Sequence, residues 1–215
     1  PLVRPGPAAP LDDATTAARM RSVVRFVREA TLGMPPRDPS QQPAWVSVVP
    51  NQLGVPELYA PSESAWGAVD NAYSMGPFLL NPSDALVMEG RLPECAFANV
   101  VLWNRFTHTF DYAYRRVSLN RAQTQLEPDG SFKLVLAARD PGVPNWLDSA
   151  GHREGTMIYR WNLADGAPIP ATRIVKQSEL AGILPQQTPR VSPAERAAEI
   201  ESRRRGVVKR MARPL

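Results

Sequence analysis

The first clear pattern along the chain is helical. Between residues 12 and 32, apolar side chains recur at steps of three and four residues, which places them on one face of an α-helix. The members of this face are Ala17, Met20, Val24, Val27 and Ala30. Asp12 or Asp13 suits the N-cap position, and Gly33 suits the C-terminal end. The sequence therefore predicts a helix over residues 12–32.

From Asp84 onward the pattern changes to the short alternation of apolar and polar residues that is typical of strands. Five segments are rich in Val, Leu, Tyr, Trp and Phe, and no helical pattern separates them. These segments are Ala85–Arg91, Phe97–Asn104, Tyr112–Leu126, Phe132–Arg139 and Thr156–Leu163. Strands at such short spacing predict a mainly β domain, built as an antiparallel β-sandwich.

A turn is expected between the third and fourth of these segments. Pro128, Asp129 and Gly130 supply in order a preset φ, a side-chain cap and a residue that tolerates positive φ. We expect this turn to join residues 117–126 to residues 132–138 as a β-hairpin.

The remaining segments complete the predicted organisation. Residues 34–64 are rich in proline, with one strand-like stretch at Trp45–Val49, and a run of this kind is usually a wrapping segment or linker. Residues 65–81 fit no single pattern. A C-terminal helix is predicted from Pro193 to Met211, with Ser192 as its N-cap. The predicted divisions are a helix and wrapping segment at 1–64, a β-sandwich domain at 65–185 and a basic helical tail at 186–215.

The positive charge of the chain belongs to its tail. The whole chain has a net charge of +4, but residues 190–215 contain eight Lys and Arg against three Glu, so the remainder is close to neutral. Three successive arginines point to all sides of a helix and do not form the one-sided stripe that nucleic acid requires. We therefore expect no nucleic-acid partner. Because the apolar face of the tail is thin, we also expect the sandwich to fold without residues 190–215.

Several classes of chemistry are missing from the sequence. One cysteine, Cys95, excludes an internal disulfide, and two histidines with one cysteine cannot form a closed zinc site without carboxylates. No phosphate-binding loop, G-x-S-x-G or H-E-x-x-H motif is present. The sequence therefore predicts no cofactor and no metal. It contains no membrane span and no signal peptide, which favours a soluble, cytoplasmic protein.

Four stretches resemble a known family. They are Ala85–Arg91, Asn99–Arg105, Val117–Arg121 and, most specifically, Arg139–Asp148 with its run of Pro, Gly, Asn and Trp. Over residues 66–176 the chain resembles the bacterial domain-of-unknown-function family number twelve-fourteen, which often accompanies number twelve-fifty-four. The resemblance implies a jelly-roll-like sandwich that closes a longer protein, and it implies no settled activity.

The candidate site lies around the loop 139–153. A stiff loop that orders an aromatic face beside amide, carboxylate and guanidinium groups is a common way to hold sugars and small polar acids. Alternatively, these side chains pair with strand ends, plug the sandwich and cap the turn. The candidate ligand-binding residues are Asn104, Arg121, Arg139, Asn145 and Trp146, with Asn104 and Arg121 either sharing a cleft or lying on a charged outer face.

Three function hypotheses follow from these residues. The first is a domain that binds a small polar or glycan-like ligand as the C-terminal part of a larger bacterial protein. The second is a hydrolase or lyase that transfers protons through Asp140 or Asp148 together with His152, and it requires a carboxylate and the histidine in one cleft. The third is an interaction subunit whose terminal helices contact a second chain or a missing N-terminal domain.

Overall fold

The computed structural model describes residues 12–33, 38–58 and 67–212, which fall into two compact units divided between residues 34 and 35. The first unit contains one helix, Asp13–Thr31 (α1). Asp12 is its N-cap, because the Asp12 side chain accepts a hydrogen bond of 2.7 Å from the Thr15 amide. The predicted N-terminal helix is confirmed.

The described part of the second unit is mainly β, with one short and one long α-helix toward its C-terminal end. Its strands are Glu57–Leu58 (β1), Asn71–Leu79 (β2), Asp84–Arg91 (β3), Phe97–Trp103 (β4), Ser118–Asn120 (β5), Ser131–Ala137 (β6), Trp146–Asp148 (β7), Glu154–Asn162 (β8) and Ala171–Lys176 (β9). Its α-helices are Leu180–Ile183 (α2) and Pro193–Met211 (α3), and single 3-10 turns lie at Pro39–Gln41, Arg121–Gln123 and Gln177–Glu179. The C-terminal helix is confirmed, with Ser192 as its N-cap.

The strands form two sheets. One has five strands in the order β1-β2-β8-β4-β5, and the other has four in the order β7-β6-β3-β9. The pairs within both sheets are antiparallel except for β6 and β7, which run parallel. The prediction of an antiparallel sandwich is therefore corrected at one edge, where β7 follows β6 through a loop instead of a hairpin.

The main core lies between the two sheets because alternate residues of each strand point to one face. Leu86 and Met88 of β3 pack in one cluster with Met157, Tyr159 and Trp161 of β8, and all five are buried. Burying a large apolar side chain contributes about 1.5–3 kcal/mol. The cluster holds the sheets face to face, as in a sandwich.

The four-stranded sheet is also covered on its other face. Ala85 and Val87 of β3 point away from the main core and pack against Val143, Trp146 and Leu180. A strand that is buried on both faces shows a continuous apolar run instead of alternation. This explains why β3 is buried from Asp84 through Met88.

The predicted hairpin at residues 125–132 is wrong, although its turn forms. Gly130 has a φ of +81° and its amide donates to the Glu127 carbonyl at 2.9 Å. However, β5 pairs with β4 and β6 pairs with β3, so residues 117–126 and 132–138 do not pair. The turn carries the chain from one sheet to the other, because local turn chemistry reverses the chain without choosing its partner strand.

The Pro-rich segment, predicted at residues 34–64, is described over residues 38–58 and runs along β2. Val46 forms an isolated parallel bridge to Met75, and the Gly54 amide donates to the Met75 carbonyl at 3.1 Å. A Cβ at Gly76 would lie 1.8 Å from the Gln52 carbonyl oxygen, so this contact requires glycine. Over the described residues the segment wraps the sheet, and the predicted strand at Trp45–Val49 is reduced to the Val46 bridge.

Candidate functional site

The loop between β6 and β7 is fixed by its own hydrogen bonds and by α3. The Asp140 Oδ1 atom accepts from the Gly142 amide at 2.8 Å, and Gly142 takes a φ of +69°. The Asp140 Oδ2 atom accepts from Arg196 Nε of α3 at 2.8 Å. This candidate catalytic carboxylate is therefore one half of an ion pair that fastens the loop to a helix.

Asn145 is buried and its amide bonds to the backbone. Its Nδ2 donates to the carbonyls of Gln125 and Lys133 at 2.7 and 3.1 Å, and its Oδ1 accepts from the Gln125 amide at 2.8 Å. Both amide hydrogens are thus used inside the protein. The Asn145 side chain therefore links two segments by hydrogen bonds, the one that follows β5 and strand β6. This structural role explains why an asparagine lies just before β7.

Trp146 is packed inside and does not present an aromatic face. Its indole N–H donates to the Ala137 carbonyl at 3.0 Å, and the residue is 7% exposed. The Arg196 guanidinium lies 5.2 Å from the centre of one of its rings and donates to the Val143 carbonyl at 2.6 Å. A cation in this position is attracted to the ring and also covers it from solvent.

The other residues of the loop region point in separate directions. Asp148 is buried, and its carboxylate accepts from the Ala150 amide at 2.7 Å and from Arg115 at 3.0 Å. His152 is exposed and its ring lies 4.7 Å from that of Phe110. Arg139 is exposed, and its carbonyl accepts from the Gln177 side chain at 3.0 Å.

Asn104 and Arg121 lie at opposite ends of β4. Asn104 follows the last residue of β4, where its Oδ1 caps the turn by accepting from the amides of Phe106 and His108 at 2.9 and 3.0 Å. Arg121 follows β5, whose Asn120 pairs with Asn99 near the start of β4. About five residues of strand separate the two positions, or roughly 15 Å. The two side chains therefore do not share a cleft.

A cavity does lie beside the loop, on the Asn145 side. Its volume is about 250 Å³, and it is bounded by residues 125–128, 133, 135, 143–145, 184 and 187–189. Three prolines, Pro128, Pro144 and Pro189, form part of its wall, and Val135, Val143 and Leu184 line its apolar side. The cavity brings together Asn145, which was predicted, with residues of the β6 strand and of the segment after α2.

The polar groups of this cavity include two that the sequence did not reveal. The Thr188 Oγ1 atom is buried and has no hydrogen-bond partner among the described residues. The Lys133 side chain is 14% exposed and forms an ion pair of 2.5 Å with Glu89. Only the polar stretch after Ile183 hints at Thr188, and Lys133 looks like any outward-facing strand residue.

The described residues show neither a cluster of metal ligands nor a helix that could cross a membrane. Residues 12–33, 38–58 and 67–212 contain no group of three or more His, Cys, Asp and Glu side chains that is placed to hold a metal ion. None of the helices in those ranges is both long enough and apolar enough to cross a membrane.

Comparison with known proteins gives structural relatives. An uncharacterized protein from Burkholderia cenocepacia is 30% identical with a TM-score of 0.64, and the match covers 81% of this chain and 47% of that one. A protein from Vibrio parahaemolyticus is 20% identical with a TM-score of 0.44, covering 53% of this chain and 33% of that one. No family model and no curated protein match the sequence. The chain thus resembles, in fold, a bacterial protein of about twice the matched length.

Proposed function

We propose that this chain is a non-catalytic domain that binds a small polar molecule in the cavity beside the loop 139–148. The single observation that carries the proposal is the cavity of about 250 Å³ with the buried, unpartnered Thr188 hydroxyl. Ligand pockets commonly measure about 300–1,000 Å³, so a small metabolite matches this space. If the Thr188 side chain turns about its Cα–Cβ bond, the hydroxyl faces the cavity, and a bound ligand then recovers the free energy that a buried hydroxyl without a partner costs.

The wall of the cavity favours a small polar molecule over a glycan. Its three prolines limit the conformations of the unfolded chain and keep the wall ordered before the ligand arrives. Sugars are commonly held against an aromatic face, but the residues that line this cavity include no aromatic side chain within the described ranges. Trp146, which was the candidate for that role, is covered by Arg196.

Binding without catalysis also agrees with the positions of the candidate catalytic residues. Asp140 and Asp148 are paired with Arg196 and Arg115. His152 does not line this cavity, and neither carboxylate does. The hypothesis of a hydrolase or lyase requires one carboxylate and His152 in a common cleft, so the geometry favours the binding hypothesis.

The proposal extends to the family and to the length of the natural protein. We propose membership of the domain-of-unknown-function family number twelve-fourteen, on the four stretches that carry the resemblance. We also propose that the chain acts as the C-terminal part of a longer bacterial protein. The match to 47% of the Burkholderia protein supports a longer protein, and the C-terminal position rests on the family resemblance.

The test is Thr188→Val, which removes the hydroxyl and keeps the shape of the side chain. Wild-type protein is screened against a metabolite mixture by ligand-observed NMR, and the affinity of each hit is then measured for the variant. We expect binding to weaken about tenfold, as loss of one hydrogen bond predicts, while unfolding stability stays equal or rises slightly. If no ligand is found whose affinity falls in Thr188→Val, the proposal is wrong.

Thr172→Val is the matched control. The Thr172 hydroxyl donates to the Asn51 carbonyl at 2.7 Å and does not line the cavity. Its loss should lower stability by about 1 kcal/mol and leave ligand affinity unchanged. The two variants therefore move stability and affinity in different directions.

Interaction through α1 is the second candidate function. Met20, Val24 and Val27 lie on one face at heptad-like spacing and are each more than half exposed. Because apolar residues at heptad spacing pair with a like helix, we propose that the face contacts an α-helix of a second chain, and self-association of this chain is the form that can be tested directly. Sedimentation equilibrium should show association of the wild-type chain that Val24→Glu with Val27→Glu abolishes, and a monomeric wild-type chain at high concentration rules this out.

A further inference from the structure

Three arginines meet where α3 passes the edge of the five-stranded sheet. Arg116, just before β5, donates through Nη1 to Glu199 Oε2 of α3. Arg196 donates to the same oxygen through its own Nη1 at 2.6 Å and to Asp140 through Nε at 2.8 Å. Arg203 donates to the Tyr112 carbonyl and the Ser118 hydroxyl, at 2.7 and 2.6 Å, and both of these acceptors are uncharged.

The cluster therefore has one positive charge in excess. Three guanidinium groups face two carboxylates, those of Glu199 and Asp140. Burial lowers the pKa of Arg116, and the charge of Glu199 opposes that shift. Burial also lowers the pKa of Arg203, and the nearby charge of Arg116 lowers it further. Within the described chain, the local field at this point favours an additional anion.

A cleft opens directly onto this cluster. Its volume is about 430 Å³, and its lining residues are Arg116, Gln123, Glu199, Ile200, Ser202 and Arg203. The Arg116 Nε atom is buried with no hydrogen-bond partner, and its Nη2 donates to no residue of the described ranges. The Nε and Nη2 hydrogens point along one edge of a guanidinium, which is the edge that an oxyanion accepts from in a bidentate manner.

We propose that this cleft binds a small oxyanion, a phosphate or carboxylate group, on the Nε–Nη2 edge of Arg116, which a small shift of the guanidinium opens to the cleft. Ser202 and Gln123 line the same cleft and offer further donors. Glu199 is the acidic residue of the cleft, and its Oε2 already accepts from two guanidinium groups, which reduces its repulsion of an anion. The site is separate from the cavity at residues 184–189, so neither proposal depends on the other.

The test titrates the folded chain with inorganic phosphate, with succinate and with chloride at constant ionic strength. The readout is the Nε–Hε NMR signal of Arg116, which reports on that edge directly. We expect a saturable shift with phosphate or succinate, and the tighter of the two identifies the headgroup. Chloride should cause no saturable shift. A similar response to all three anions, or no saturable response to any, overturns the proposal.

Two variants act in opposite directions. Arg116→Lys keeps the charge but loses the bidentate edge, so binding should weaken about tenfold. Glu199→Gln removes the negative charge from the cleft, so binding should tighten about fivefold. Arg205→Lys, an exposed arginine of the same helix, is the matched control and should have no effect.

Because Arg116→Lys risks misfolding, Glu199→Gln gives an independent result. Tighter oxyanion binding by that variant supports the site even if Arg116→Lys fails to fold. Weaker or unchanged binding by Glu199→Gln, or equal losses in Arg116→Lys and Arg205→Lys, overturns it. Thr188→Val should leave oxyanion binding unchanged, which separates this test from that of the cavity ligand.

Discussion

The two long helices differ in how their sequences relate to burial. α1 has the more regular apolar face, yet none of its residues, all of which are described, is buried. Met20, Val24 and Val27 are 66%, 58% and 51% exposed. α3 has a thinner apolar face, but its Arg196 is 6% exposed and lies against the sandwich.

The comparison shows that hydrogen bonds and ion pairs can attach a helix to a domain when the apolar face of that helix is small. Arg196 bonds to the Val143 carbonyl and to Asp140, and Arg203 bonds to the Tyr112 carbonyl. A hydrogen bond that involves a charged group contributes about 1.5–3 kcal/mol. The long stems of these arginines also bury apolar area while the guanidinium reaches its acceptors. The apolar pattern of α3 alone therefore underestimates its attachment.

The largest expected effect comes from truncation. Removal of the chain after Pro189 should lower the free energy of unfolding by about 5 kcal/mol or more, because it uncovers Trp146 and leaves Arg116 and Asp140 without their ion partners. This reverses the expectation from the thin apolar face of the tail. Removal of residues 1–34 should cost less than about 1 kcal/mol. Urea unfolding of both truncated chains measures the two changes in the free energy of unfolding. Equal losses would contradict the proposed difference between α1 and α3.

Replacing one arginine on each helix compares the contribution of the two helices to stability more directly. Arg196→Met should cost about 3–5 kcal/mol, because it leaves the Asp140 carboxylate without its ion partner and the Val143 carbonyl without its donor. Arg19→Met on α1 should stay within about 0.5 kcal/mol, since Arg19 is exposed. Thermal and urea unfolding of the two variants provide the measurement. A loss below about 1 kcal/mol for Arg196→Met would show that its contacts are not important for stability.

Apolar truncation on each helix should give a smaller difference. Ile200 of α3 is half-buried, so Ile200→Ala should cost about 1 kcal/mol through lost apolar burial. Val24→Ala on α1 should be neutral or slightly stabilising, because Val24 is exposed and alanine has the higher helix propensity. The same unfolding assay compares them. A costly Val24→Ala would indicate that the α1 face is covered in solution.

The smallest expected effect concerns the pH dependence of two carboxylates, Asp12 at the N-cap of α1 and Glu195 in the first turn of α3. The Thr15 amide and hydroxyl hold the pKa of Asp12 below its ordinary value, and the Ser192 amide and hydroxyl do the same for the pKa of Glu195. Because both folded pKa values are lowered, the stabilisation is present above the unfolded pKa and is lost as pH falls through the folded one. On acidification, α1 should fray at its first turn before α3, which is held by tertiary contacts.

Backbone chemical shifts of residues 13–16 and 193–196 between pH 7 and pH 2 measure this fraying. Asp12→Asn keeps an acceptor for the Thr15 amide but does not titrate, so the pH dependence at residues 14–16 should fall to what Asp13, the other carboxyl of the first turn, contributes on its own, as Asp12→Asn with Asp13→Asn measures. A pH dependence in Asp12→Asn as large as that of the wild-type chain would assign the effect to a group other than Asp12.

The sequence was informative wherever local chemistry decides the outcome. The bounds of α1 and α3 follow from caps that lie within a few residues of each helix end, at Asp12 and Ser192. Strands β3, β4, β6 and β8 were predicted to within two residues at each end, because their apolar content is high. Tyr112–Leu126 was too long as a strand, since the Asn120 side chain caps the 3-10 turn Arg121–Gln123 and ends β5 early.

The sequence by itself determined that residues 139–145 form a stiff, polar loop after a strand, although it did not predict that residues 146–148 form strand β7. Only the tertiary structure decided where its side chains point. The hydrogen-bond partners of Asn145 are Gln125 and Lys133. The residue that covers the Trp146 ring is Arg196, which is far from Trp146 in sequence. Contacts over such separations leave no periodic signal in a sequence, because they depend on the order in which strands pair. The same tertiary arrangement places Thr188 and Lys133 beside one cavity and Arg116 beside Arg203.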